Sequence, residues 1–90
     1  MTPEETVDRA ARAQRLREDR LLTEAFDGVK AAWLDALLTS AYGQAELREH
    51  CYRNIAALEE VKGALFRFVQ DGKIAAAEIE AREKKAKARK

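Results

Sequence analysis

Seven residues of this chain constrain its fold more than any others. Leu47, Cys51, Asn54, Leu58, Val61, Leu65 and Phe68 follow one another at spacings of 4, 3, 4, 3, 4 and 3. That alternation places all seven on one stripe of a long α-helix, the seam of coiled-coil-like packing against another helix. A strand alternates every second residue, so this segment does not read as sheet. Asn54 is the polar member of the stripe. It either specifies register and helix number from within the seam or lies on the rim, with Ile55 taking the seam position.

A second stripe supplies a partner. Leu22, Phe26, Val29, Trp33 and Ala36 are spaced 4, 3, 4 and 3, with Leu34, Leu37 and Leu38 alongside. Between the stripes lies Thr39-Ser40-Ala41-Tyr42-Gly43-Gln44, small and polar, which suits a helix end and a tight connection. At the start, Thr2, Pro3 and Glu5 have the order of a capping box with proline in the first helical position. We therefore expect an all-α protein built as an antiparallel helical hairpin. The long first helix spans about 3–39 and the second about 45–70. Asp71-Gly72-Lys73 reads as a helix stop, with Gly72 free to adopt a left-handed cap. A short alanine-rich helix follows at about 73–81. Residues 1–81 then form one helical domain, and residues 82–90 a basic, fraying tail.

Composition agrees with solvated helices. Charged residues make up 37% of the 90 residues, and there is one proline. No apolar run approaches the ~18 residues of a membrane span. The acidic start, Glu4, Glu5 and Asp8, does not read as a secretory signal. Cys51, the single cysteine, has no internal disulfide partner, which suits a reducing, cytoplasmic setting. The net charge of +1 conceals an asymmetry. Residues 1–81 hold 11 basic and 15 acidic groups, whereas residues 82–90 hold six basic and one acidic. Arg82, Lys84, Lys85, Lys87, Arg89 and Lys90 are thus candidate contacts to nucleic acid or to an acidic partner. Without aromatic residues to stack on bases, the tail does not suit sequence-specific single-strand binding.

Candidate chemical groups fare poorly. His50 and Cys51 are adjacent on a helix and diverge by about 100°. No further His or Cys completes a zinc set. Glu59-Glu60 and Glu78 with Glu80 are spaced as surface carboxylates, not as facing pairs. Asp71-Gly72-Lys73 lacks the spacing of a phosphate loop. Trp33, Phe26, Phe66, Phe68, Tyr42 and Tyr52 are placed as core or interface residues, with Phe66 off the seam. In the first helix, Arg9, Arg12, Arg17 and Arg20 form a solvated arc. There Asp8 neutralises Arg12, and Asp19 neutralises Arg15. No catalytic residues, metal or cofactor are expected.

Several segments together carry a resemblance: Leu-Leu-Thr-Glu-Ala-Phe-Asp at 21–27, Trp33-Leu34, Leu47-Arg48-Glu49, Ala57-Leu58-Glu59-Glu60-Val61 and Val69-Gln70-Asp71-Gly72-Lys73. Over roughly residues 18–80 this order resembles small all-helical proteins of tailed phages and prophages, many of unassigned function, encoded among packaging and head genes. The resemblance implies a phage origin and a part in particle assembly, in the cytoplasm of a bacterial host or in the virion. It transfers no catalytic residue.

The expected function is non-enzymatic self-association. Leu22, Phe26, Val29, Trp33 and Leu37 pack against Leu47, Cys51, Asn54, Leu58, Val61, Leu65 and Phe68. Tyr52, Ile55, Leu37 and Leu38 widen the apolar stripes beyond a two-helix seam. The partners are further copies and other phage structural proteins. One alternative is a nucleic-acid-binding packaging or regulatory module using the tail. Another is an inhibitor of a host protein.

Overall fold

The computed structural model describes residues 1–89. The fold is all-α, with three helices: α1 (Pro3–Glu18), α2 (Arg20–Leu38) and α3 (Ala45–Ala88). No strand occurs among the described residues.

α1 begins as its sequence dictates. Thr2 Oγ1 accepts from Glu5 N at 3.1 Å, and Glu5 Oε1 accepts from Thr2 N at 3.2 Å. The capping box thus satisfies two backbone donors that a helix start leaves unpaired.

The expected single helix over 3–39 is broken at Asp19. Its backbone is extended, at φ −68° and ψ 117°, and its Oδ1 accepts from Leu22 N at 2.8 Å. The carbonyl of Asp19 accepts from Thr23 N at 3.1 Å and from Thr23 Oγ1 at 3.0 Å. A short carboxylate competes well with helix backbone for amide donors, so Asp19 starts a new helix where a surface ion pair with Arg15 was expected. Asp19→Ala removes this cap. We expect a loss of about 1 kcal/mol, seen as a lower thermal midpoint by circular dichroism.

The end of α2 follows the expected connection. Thr39 N donates to Asp35 O at 2.9 Å, and Ala41 N to Gln44 Oε1 at 2.7 Å. Arg48 fastens the turn, donating from Nη1 to Ala41 O at 2.8 Å and to Ser40 Oγ at 3.2 Å, and from Nη2 to Tyr42 O at 3.2 Å.

α3 does not stop at Asp71-Gly72-Lys73. It runs unbroken for 44 residues. The expected second helix, the short helix at 73–81 and most of the tail are one element. No described glycine has a positive φ. The physical reason lies in the spacing beyond Phe68: Gly72, Ala75, Ile79 and Arg82 continue the stripe at 4, 3, 4 and 3. Gly72 is a seam position, and its missing side chain serves packing rather than a turn.

The helices group into two compact units, Met1–Glu18 with α3 from Ala64 onward, and Asp19–Gly63. In the first unit α1 packs on the later part of α3. A Cβ built on Gly72 would overlap the Ala10 methyl, with Ala10 Cα at 3.6 Å and Thr6 O at 3.7 Å. Ala13, Gly72 and Ala75 are buried there. The small side chains of α1 therefore permit close approach, although they offer little apolar area each. In the second unit Cys51 is fully buried, at 0% exposure. In the same unit Leu22, Phe26, Trp33, Leu37, Asn54, Ile55 and Leu58 are half-buried.

Candidate functional site

The expected seam residues divide between the two units. In the second, Trp33 meets the ring of His50 edge to face, with centroids 5.2 Å apart and planes at 85°. Lys30 Nζ lies 2.7 Å from Glu59 Oε1. Val29, Leu47 and Val61 carry the right spacing but are exposed. Leu65 and Phe68 belong to the first unit, where the Arg9 guanidinium lies over Phe68, 4.2 Å from the ring centroid. The stripe that reads as one continuous seam in sequence therefore has α1 as the partner of its later part. The spacing past Phe68 is compatible with a longer helix, but it does not encode which helix covers it.

Asn54 meets its polar needs on its own helix. Its Nδ2 donates to His50 O at 2.9 Å and lies 3.2 Å from His50 Nε2. Asn54 and Ile55 are both half-buried, so they share the boundary of the seam. His50 and Cys51 diverge as helix geometry requires: His50 is exposed and Cys51 buried. No group of three or more His, Cys, Asp or Glu residues able to hold a metal ion occurs among the described residues.

The arginines of α1 do more than line a solvated face. Arg9 adds an ion pair to Asp71 at 3.7 Å to its contact with Phe68, while its Nε is buried without a hydrogen-bond partner among the described residues. Arg17 lies 5.0 Å from the Phe66 ring centroid. Arg12 pairs with Asp8 at 3.8 Å, as its spacing implied. Arg9 and Arg17 thus cover aromatic rings with planar cations.

No protein-family model, characterised protein or solved structure matches this chain. Its surfaces must therefore be read from their own chemistry.

The basic end of the chain is helical through Ala88. Arg82 is engaged by Glu4, and Lys84 lies 3.6 Å from Glu80. Lys85, Lys87 and Arg89 have no acidic partner among the described residues. Lys90 lies outside the described residues. No helix is long and apolar enough to cross a membrane among the described residues.

Two carboxyls are held below the ordinary carboxylate range. For Glu4 the main cause is the hydrogen bond from Arg82, followed by one from its own backbone amide. For Glu59 it is the hydrogen bond and charge of Lys30, followed by the charge of Lys62. A lowered folded pKa means that the unfolded chain binds more protons across that window, so stability rises with pH there. The contribution is complete above the ordinary carboxylate range and is lost as pH falls through the lowered values. Both groups are exposed, so the effect is small. Thermal midpoints measured down an acid series should decline, and Glu59→Gln should flatten part of that decline.

Proposed function

We propose that this chain is a non-enzymatic helical protein that self-associates and serves as a structural or assembly component of a tailed-phage particle. Each chain would present α2 and the start of α3 as an antiparallel helical hairpin, with α1 laid on the rest of α3. The observation that carries this reading is the imbalance between core and apolar surface. Only Ala13, Cys51 and Ala75 are buried hydrophobic residues among those described, whereas Leu21, Leu34, Leu38, Tyr42, Tyr52, Val61, Phe66 and Ile74 are exposed. Large apolar groups left out to this extent mark surfaces that a partner covers. The sequence resemblance supplies the phage setting, and a second copy is the partner always present. Sedimentation of the full chain across a concentration series tests this. A concentration-dependent oligomer is expected, and a compact monomer at tens of micromolar would refute it.

A second reading rests on Lys85, Lys87 and Arg89, whose charges are unanswered. They suit binding to the phosphates of nucleic acid, the partner of a packaging or regulatory module. Affinity for duplex DNA that falls steeply with salt is expected on this reading, and indifference to DNA at low salt removes it.

A further inference from the structure

The two units carry opposite charge. Residues 1–18 and 64–90 contain 12 basic and 8 acidic groups, a balance of +4, whereas residues 19–63 contain 5 and 8, a balance of −3. This asymmetry coincides with two exposed apolar faces.

On α2, Glu24, Asp27, Ala31, Leu34 and Leu38 follow at spacings of 3, 4, 3 and 4, and all are exposed. This face is separate from the one that Leu22, Phe26, Trp33 and Leu37 turn inward. Leu38 is 81% exposed. The acids on and beside this face, Glu24, Asp27 and Asp35, have no cationic partner among the described residues. On α3, Phe66, Gln70, Ile74, Ala77, Ala81 and Lys84 follow at 4, 4, 3, 4 and 3. Phe66 is 47% exposed even with Arg17 over it, and Ile74 is 61% exposed. Lys73 and Lys85 flank this face and make no ion pair among the described residues. One face is apolar with an acidic border. The other is apolar with a basic border, interrupted by Glu78 and Glu80.

We infer that the α2 face of one copy docks on the α3 face of a second copy, with the two helices antiparallel. The inference rests on the self-association proposed above and names its surfaces. The register follows from matching charge and apolarity together. One antiparallel alignment sets Glu24 beside Lys84, Ala31 beside Ala77, Leu34 beside Ile74, Asp35 beside Lys73, and Leu38 beside Gln70 within reach of Phe66. Reversing one helix about the same centre sets Leu38 against Lys84, Leu34 against Glu80 and Glu24 against Gln70, which strands two charges on leucine side chains. The small residues Ala31 and Ala77 meet at the middle, where helix axes approach. Glu80 draws on Lys84 within its own helix, so Asp35 and Lys73 are the decisive pair. The apolar contacts supply affinity, and the flanking charges select this orientation over others.

The test is a charge exchange in the full chain, read by sedimentation velocity at low and high salt. Circular dichroism confirms that each variant retains its helix content. Asp35→Lys and Lys73→Asp are each expected to weaken association about tenfold, because attraction becomes repulsion across the contact. The double variant, with both charges exchanged, should recover most of that loss, and high salt should weaken the parent chain. Glu24→Lys paired with Lys84→Glu repeats the test at the far end of the interface. If the parent chain oligomerises but the single variants match it, or the double variant fails to recover, this interface is wrong and self-association stands. A parent chain that is monomeric throughout, whether or not it binds duplex DNA, overturns both.

Discussion

Gly72→Ala should destabilise the chain although it replaces glycine by the best helix former inside a 44-residue helix. In an open helix that exchange gains about 1 kcal/mol. Here the new methyl would overlap that of Ala10 on α1. Such overpacking costs about 1–3 kcal/mol, because α1 must retreat from the contact that buries Ala13 and Ala75. Set against the gain, this leaves a net loss of up to about 2 kcal/mol, with a fall of about 4–8 °C in thermal midpoint for each kcal/mol. Two companion variants isolate the cause. Ala10→Gly in the Gly72→Ala background returns the space and should recover much of the loss. Gly28→Ala in α2 meets nothing within 4 Å and should raise stability. Gly72→Ala and Gly28→Ala shifting in the same direction would refute the packing role of Gly72.

Cys51→Asp is expected to have the larger effect. Cys51 is fully buried in the second unit, and no buried polar or charged residue accompanies it among those described. A carboxylate placed there has no partner, so it must be buried charged or taken up in protonated form, on the order of 3–5 kcal/mol either way. Loss of helical signal arising from residues 19–63 is the expected outcome. Cys51→Ala, which removes only the sulfur, should cost about 1 kcal/mol. The thiol itself provides a check. In the native chain it should react slowly with a thiol reagent, and fast once denaturant opens the second unit. Rapid labelling of the folded chain would contradict its burial.

These variants also mark where sequence reasoning succeeds and where it stops. The 4–3 spacing identified Cys51 as a core position and the helical character of the chain. The capping box at Thr2–Glu5 and the turn at Thr39–Gln44 followed from local chemistry, since their hydrogen bonds close within a few residues. Asp19 is ambiguous in sequence because the same carboxylate can pair with an arginine a turn away or cap a helix. The choice depends on whether the chain bends there. Gly72 is ambiguous for a related reason. Glycine is equally at home in a left-handed turn and at a close helix crossing, and only the presence of Ala10 distinguishes the two. Val29, Leu47 and Val61 have the right period yet remain exposed, because a period assigns a face but not what covers it.

The sequence alone determined that the chain is helical, where α1 begins and where α2 gives way to α3. Those outcomes rest on hydrogen bonds and periodicity within a few turns of helix. Only the tertiary structure decided that α3 continues through Gly72, that α1 covers its later part, and that α2 and α3 keep apolar faces with opposite charged borders. Such features depend on contacts between residues some sixty positions apart, as with Ala10 and Gly72, and no local pattern encodes which distant surface comes to fill an open one.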